Sequence, residues 1–184
     1  MNPSTFLSDL VAGLEQARLN AWPMDWPSAA PLGMDQAYAA ALAVRDARMA
    51  AGDRPAGYKV GFTNRNIWPH YDVHAPIWGT VWQGGLTLAV PGAAGPSALS
   101  IDGLSEPRIE PEIVFGLRAA PPPDCSADEL VASLDWVAHG FEVVHTHSPA
   151  GNSPPPKPWP MPVCTAACWS ATGFRCPPTS RLWT

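Results

Sequence analysis

The spacing of apolar residues along the first fifty positions predicts two amphipathic helices. The first helix is capped by Ser4, and its apolar residues recur at three- and four-residue intervals. These apolar residues are Phe6, Leu7, Leu10, Val11 and Leu14. An alanine-rich second helix runs from about Asp35 to Ala51 and stops at Gly52, a residue type that favours helix ends.

Beyond the second helix, short runs of β-branched and aromatic residues predict a strand-rich region. The predicted strands cover residues 58–62, 77–82, 86–90, 109–117 and 141–144. A further helix is predicted from Ser126, which can cap it, to Leu134. Pro111 has no backbone N–H to donate, so its strand is expected at a sheet edge or at a bulge. Helices followed by strands indicate an α+β fold rather than repeated βαβ units.

The composition narrows the possible functions. The sequence has 184 residues and a net charge of -5, which argues against a nucleic acid or an anionic membrane as the partner. No apolar run approaches the length of a membrane span, and the first residues lack the basic and apolar regions of a secretory signal. We therefore expect a cytoplasmic protein of one domain.

Three glutamates form the most informative group of polar residues. Glu110 and Glu112 are two positions apart in a predicted strand, so their side chains share one face. Glu142 is an acid within an otherwise apolar strand, and acids are rarely buried unless they are paired or bind a metal. Three carboxylates without a soft ligand suit a hard cation such as Mg²⁺ or Mn²⁺. A solvated strand face beside Arg108 or Arg118 is the competing interpretation, and spacing alone favours it.

A lysine between glycines is the second candidate. Lys59 lies in a predicted strand with Gly57 and Gly61 on either side. A lysine removed from water can move protons near neutral pH, and glycines let a ligand approach the backbone closely. The alternative is a lysine on the exposed face of a half-buried strand, which is the commoner situation for a single lysine.

Four segments in a fixed order resemble a known enzyme family. They are residues 57–63 (GYKVGFT), 76–79 (PIWG), 107–115 (PRIEPEIVF) and 139–144 (HGFEVV). Together they resemble the 2-oxo-4-pentenoate hydratase and 4-oxalocrotonate decarboxylase branch of the fumarylacetoacetate hydrolase superfamily. The resemblance covers about residues 4–149, and the ordered set is more specific than any single segment.

The resemblance implies helices followed by a mixed β-roll of the fumarylacetoacetase type. It implies that Glu110, Glu112 and Glu142 hold one Mg²⁺ or Mn²⁺, and that Lys59 is the acid/base catalyst. The metal would chelate the 2-oxo and carboxylate oxygens of a small 2-oxo acid and stabilise an enolate. Lys59 would move protons while water adds to a double bond or CO₂ leaves. The implied enzyme is a hydratase of the 2-hydroxypenta-2,4-dienoate type, or a 4-oxalocrotonate-type decarboxylase, in aromatic-compound catabolism, and a homo-oligomer.

The C-terminal end departs from this pattern. From Pro149 to Thr184 the sequence has nine prolines, three of the four cysteines and no acid. When the third base of each codon is read with the first two bases of the next, Pro160 and Pro162 become Ala and Trp169 becomes Leu. The remaining codons permit the alanine-rich helix and apolar strand that the family pattern has there. We therefore predict a frameshift near residues 148–150.

This prediction divides the chain into two parts. Residues 1–149 are the N-terminal part of a 2-oxo acid lyase domain, helical to residue 55 and strand-rich from residue 56. Residues 150–184 are an aberrant, out-of-frame tail, and the β-roll is incomplete at the C-terminus. Two alternatives to an active lyase stay open. One is a catalytically inactive, truncated family member; the other is a small interaction module whose proline-rich residues 154–158 adopt polyproline II.

Overall fold

Two long helices open the chain. The computed structural model describes residues 3–21, 33–71, 74–88, 98–104, 107–145 and 167–175. Helix α1 (Pro3–Asn20) begins at a proline, whose fixed φ and missing N–H suit the first helical position. Ser4 therefore lies inside the first turn, and its predicted role as the cap is wrong. Helix α2 (Met34–Ala50) matches its prediction to within one residue at each end, and Gly52 follows it at a φ of 101°.

Helices α1 and α2 pack through a small apolar core. Leu10 and Leu14 of α1 are buried together with Ala40 of α2, and partly buried side chains pack against them. These partly buried side chains are Phe6, Leu7 and Val44. The predicted apolar face of α1 is therefore confirmed, and it packs against a helix whose small alanine side chains permit close approach.

The next two strands form a sheet of their own. Strands β1 (Pro55–Gly61) and β2 (Ile77–Trp82) pair antiparallel, with Lys59 opposite Gly79. The strand predicted at residues 58–62 ends one residue earlier than expected. It does so because Phe62 has a φ of 56°, which is incompatible with a continuing strand.

Helix α2 lies against one face of this two-stranded sheet. The Tyr38 ring stacks on the Trp78 ring with 5.3 Å between ring centroids. The backbone N–H of Trp78 donates to the Tyr38 hydroxyl at 3.2 Å. Further along α2, the Arg48 guanidinium lies 4.0 Å from the Trp82 ring centroid and binds Asp53 at 2.7 Å. Aromatic and cation–π contacts near both ends of β2 therefore hold the helix on the sheet.

A second sheet contains four strands in the order β3, β6, β5 and β4. Their bounds are Leu86–Leu88 for β3, Arg108–Leu117 for β4, Leu134–Val144 for β5 and Ala167–Arg175 for β6. Among the described strands β4 is at an edge, as Pro111 predicted. Strand β6 comes from the segment that was predicted to be an aberrant tail, where no strand was expected.

The one-turn helix α3 (Trp68–Tyr71) precedes β2. Helix α4 (Ala127–Ala132) is shorter than predicted, and strand β5 is longer. Ser126 caps α4 as expected. Its N–H donates to the Glu129 carboxylate at 2.8 Å and holds the pKa of that carboxyl below its usual range. Leu134 begins β5 instead of ending the helix. The strand was underestimated because its buried positions include alanine, glycine and an acid rather than a run of large apolar residues.

One face of β4 carries large apolar side chains that are exposed. Ile109, Ile113, Phe115 and Leu117 occupy alternate positions and are 50–67% exposed. Alternate residues of a strand share a face, so these four side chains form one apolar strip. Such a strip on an edge strand favours contact with further protein.

The chain divides into two compact units. The first contains α1, α2, β1 and β2 and comprises Met1–Leu86, Ser100–Arg108 and Val144–Ala167. The second contains α4 and most of β4, β5 and β6 and comprises Thr87–Leu99, Ile109–Val143 and Cys168–Thr184. None of the helices in the described part of the chain is long and apolar enough to cross a membrane.

Gly116 should be required for the packing of β4 on β5, because the Trp136 indole occupies the space beside it. A Cβ at position 116 would overlap this ring. We expect Gly116→Ala to lower the free energy of unfolding by about 1–3 kcal/mol in urea denaturation. The control is Gly84→Ala, whose added Cβ meets no described atom within 4 Å. Equal stability of the two variants would contradict this packing.

Candidate functional site

Three carboxylates converge on one face of the second sheet. Glu110 and Glu112 alternate along β4 and therefore lie on the same side. Glu142 comes from β5, the neighbouring strand. Single carboxylate oxygens of the three residues all lie within 4.8 Å of one another. The structure thus brings together the three glutamates that were predicted as metal ligands.

The pairing of β4 with β5 produces this convergence. The Arg118 N–H donates to the Ser133 carbonyl at 2.8 Å, so the end of β4 lies beside the start of β5 and the strands run antiparallel. The Arg118 side chain also donates to the Leu134 carbonyl at 2.8 Å. Residues near the start of β4 therefore meet residues near the end of β5, where Glu142 lies.

The three carboxylates fit a hard divalent cation. Mg²⁺, Mn²⁺ and Ca²⁺ all prefer oxygen ligands. Two ligands on opposite sides of the ion are about 4.2 Å apart around Mg²⁺ and about 5 Å apart around Ca²⁺. Oxygens that all lie within 4.8 Å of one another are close enough to be ligands of one such ion.

Burial strengthens the electrostatic interactions within the cluster. Glu142 is only 6% exposed, Glu112 is half-buried and Glu110 is exposed. Neighbouring negative charges repel one another, and this repulsion is screened less by water where the side chains are buried. A divalent cation bound by all three replaces this repulsion with attraction, because the ion is then the largest local charge.

Lys59 lies on the less exposed face of β1. Lys59 is half-buried, while its neighbours Tyr58 and Val60 are 62% and 56% exposed. A strand with one buried face normally shows the reverse pattern, with apolar side chains inward and the charged one outward. The inverted pattern places an ionisable group where an apolar side chain usually packs.

Three glycines surround Lys59. Gly57 and Gly61 lie on the same face of β1, and Gly79 is the cross-strand partner. A Cβ at Gly61 would lie 3.4 Å from Ile77 Cγ1, whereas a Cβ at Gly57 would meet no described atom within 4 Å. The lysine is thus bordered by backbone, and the described residues leave open space above Gly57. Sequence reasoning identified the flanking glycines but missed Gly79, because its position beside the lysine depends on the strand register.

An indole hydrogen bond holds the turn that follows β1. Phe62 has a φ of 56°, which is unusual for a large side chain. The Trp68 Nε1–H donates to the Phe62 carbonyl at 2.7 Å, and the Arg65 guanidinium lies 5.6 Å from the Trp68 ring centroid. Asn64 caps the 3₁₀ turn Arg65–Ile67 by accepting a backbone N–H at 3.0 Å. These contacts fix the chain direction just beyond Lys59.

Comparison with known proteins relates the chain to dienoate hydratases. No protein-family model matches it. It is 32% identical over 112 residues to a 2-hydroxyhexa-2,4-dienoate hydratase of Comamonas testosteroni. It is 31% identical over 114 residues to a 2-hydroxypent-2,4-dienoate hydratase of Pseudomonas putida. The alignments cover 60% and 61% of this chain, but only 41% and 49% of the two relatives.

Solved structures share the fold. The 4-oxalocrotonate decarboxylase from Pseudomonas putida G7, complexed with magnesium and adipate, superposes with a TM-score of 0.75 at 20% identity. That superposition covers 91% of this chain and 63% of the decarboxylase chain. The same enzyme complexed with calcium and acetate gives a TM-score of 0.72, also at 20% identity, over 90% of this chain and 61% of that chain.

The chain is thus similar to the dienoate hydratases and shares the fold of the decarboxylase. These similarities confirm the resemblance of the four ordered segments and the predicted α+β class, with a fold of the fumarylacetoacetase type. The chain spans less than half the length of the curated relatives that it matches. Of the predicted site residues, Lys59 lies in the first compact unit and the three glutamates lie in the second.

The carboxylate cluster predicts divalent-cation binding that depends on Glu142. In calorimetric titration with Mn²⁺ or Mg²⁺, Glu142→Gln should weaken the affinity at least about tenfold, because it removes one ligand and one negative charge. The matched control is Glu129→Gln, which removes an exposed carboxylate of α4 in the same unit and should leave the affinity unchanged. Equal affinities for the two variants would show that the ion binds elsewhere.

Proposed function

We propose that the chain carries the site of a divalent-metal-dependent lyase that acts on small 2-oxo acids. The observation that carries this proposal is the convergence of Glu110, Glu112 and Glu142 from adjacent strands. This convergence occurs in a chain that is 31–32% identical to two dienoate hydratases. The related hydratases indicate the reaction class, and the three carboxylates provide a place for the cation.

In this proposal the three glutamates hold Mg²⁺ or Mn²⁺. When bound, the ion supplies Lewis-acid polarisation of the 2-oxo and carboxylate oxygens of the substrate. The buried Glu142 is shielded from water, whereas the exposed Glu110 lies on the accessible side of the cluster. The substrate therefore enters from the side of Glu110.

We assign the proton transfer to Lys59. Its half-buried side chain is accessible to a substrate carbon because the neighbouring positions on its face are glycines. In hydration, the ammonium donates a proton to one carbon while water adds at the other end of the double bond and returns a proton to the amine. In decarboxylation, the donated proton takes the place of the departing CO₂. Both reactions need one proton donor beside the carbon skeleton, so the same lysine serves either.

Hydration is the first candidate reaction because the two curated relatives are hydratases at 31–32% identity, whereas the decarboxylase is 20% identical. Decarboxylation of the 4-oxalocrotonate type is the second candidate, supported by the TM-score of 0.75. The proposal includes a role in aromatic-compound catabolism, a cytoplasmic location and assembly as a homo-oligomer.

We further propose that residues 150–184 are translated out of frame. The codon constraints at Pro160, Pro162 and Trp169 support this proposal, as does the sudden loss of acidic residues after Glu142. Sequencing the gene should reveal that one nucleotide is missing near codons 148–150, compared with the reading frame that continues the family pattern. The frame-restored chain should then turn over a 2-oxo acid faster than the 184-residue chain under the same conditions. An intact coding sequence would contradict the frameshift.

Removal of the Lys59 amine should abolish turnover while leaving cation binding intact. We expect Lys59→Met to lower kcat at least about 100-fold. The assay follows the dienoate absorbance as 2-hydroxypenta-2,4-dienoate is hydrated by the 184-residue and frame-restored chains. Lys157→Met is the matched control, because Lys157 is the only other lysine in the sequence. Full activity of Lys59→Met would overturn the assigned role, and no turnover by either parent chain would favour an inactive family member.

A further inference from the structure

A hydrogen bond from Trp68 holds the backbone of Phe62 in an unfavourable conformation. Phe62 has a φ of 56°, in the left-handed region that large side chains seldom adopt. The Trp68 indole Nε1–H donates to the Phe62 carbonyl at 2.7 Å, a short distance for an N–H donor. Such a conformation persists only where surrounding contacts enforce it, and this bond is one of those contacts.

The turn that carries Trp68 is itself held by local contacts. The Asn64 side chain accepts the backbone N–H of Asn66 at 3.0 Å, and the Trp68 backbone N–H donates to the Arg65 carbonyl. The Arg65 guanidinium lies 5.6 Å from the centroid of the Trp68 ring, within the range of a cation–π contact. These contacts restrain the indole, so its N–H stays beside the Phe62 carbonyl.

The connection between β1 and β2 is too long to fix their register by itself. Residues 62–76 join the two strands, whereas the hairpin loops that set a register have about 2–5 residues. At the start of β1 the Gln83 N–H donates to the Arg54 carbonyl, but a bulge in the first residues of the strand follows this bond. A bulge accommodates an extra residue, so the bond at Arg54 alone leaves the later register open. The bond from Trp68 acts at the opposite end of β1, directly after its last residue.

The register decides which face of the sheet Lys59 occupies. In the structure Lys59 is opposite Gly79 and is half-buried. A shift of β1 by one residue would move every side chain of the strand to the other face. Lys59 would then lie on the face of Tyr58 and Val60, which are 62% and 56% exposed. The position of the amine therefore depends on where β1 ends.

We infer that Trp68 is a positioning residue for Lys59. Through its bond to Phe62 it fixes the end of β1, and through the strand register it keeps the amine on the half-buried face. This role rests on the proposed function, which gives the Lys59 amine its chemistry. Every residue in this series of contacts belongs to the first compact unit.

The rate at which trinitrobenzenesulfonate labels the Lys59 amine reports on the position of that amine. Only Lys59 and Lys157 carry side-chain amines, so peptide mass spectrometry gives the labelling of Lys59 relative to Lys157. Trp68→Phe keeps an aromatic ring beside Arg65 and removes the N–H. It should raise the relative labelling of Lys59 about fivefold, the effect on a local opening equilibrium of losing one ordinary hydrogen bond.

The matched control is Trp78→Phe, which makes the same chemical change in β2. Trp78 is opposite Val60, so it lies on the face of the sheet away from Lys59. A phenyl ring at position 78 can still stack on Tyr38. This variant should leave the labelling of Lys59 unchanged.

A rescue variant tests the route through Phe62. Asparagine adopts a left-handed φ more readily than phenylalanine, so adding Phe62→Asn to Trp68→Phe should restore most of the slow labelling of Lys59. Where the parent chain turns over a 2-oxo acid, Trp68→Phe should lower kcat at least about tenfold with little change in KM, because a small displacement of a catalytic group is costly. The double variant should recover most of this loss.

Three results would overturn this role of Trp68. Unchanged labelling of Lys59 in Trp68→Phe would show that the bond does not position the amine. Loss of the whole fold in Trp68→Phe, seen in urea denaturation, would show that the bond serves general stability. Fast labelling that persists in the double variant would show that Trp68 does not act through Phe62. No turnover by the parent chains would count against the proposed function alone, because the labelling rates are measured without catalysis.

Discussion

The antiparallel pairing of β4 with β5 is the interaction on which the candidate metal centre depends. A slip of one residue in this register would send Glu142 to the opposite face from Glu110 and Glu112. At the other end of the strand pair, the Trp136 indole covers Gly116 on the same face of β4 as the carboxylates. Like charges that face each other across two strands oppose the pairing of those strands. A bound divalent cation removes this conflict.

Each compact unit carries residues to which the proposal gives a chemical role, and each departs in its own way from ordinary strand patterning. In the second unit, β5 places an acid at a buried position. In the first, β1 turns Lys59 inward and leaves Tyr58 and Val60 exposed. Helix α2 packs on the opposite face of that sheet through aromatic and cation–π contacts, and these contacts stabilise the strand pair that carries Lys59. Local patterning is broken at the residues to which the proposal gives chemical roles, as is common at functional sites.

Much of this arrangement could be predicted from local sequence, because it depends on short-range periodicity. The shared face of Glu110 and Glu112 follows from the two-residue period of a strand. The position of Glu142 beside them does not, since it depends on pairing with a strand about thirty residues away in the sequence. The start of β5 at Leu134 was not predicted, because small and polar residues interrupt the alternation of apolar and polar side chains along this strand. The partial burial of Lys59 was not predicted either, because the polarity of a lysine predicts an exposed side chain.

Paramagnetic broadening by Mn²⁺ shows whether Glu110, Glu112 and Glu142 form one divalent-cation site. In an isotope-labelled chain, amide signals weaken in order of their distance from the bound ion. We expect substoichiometric Mn²⁺ to broaden the amide signals of Glu110, Glu112 and Glu142 first, while those of α4 persist, and excess Mg²⁺ to reverse the loss. Uniform broadening, or broadening centred elsewhere in the chain, would show that these carboxylates do not form the cation site.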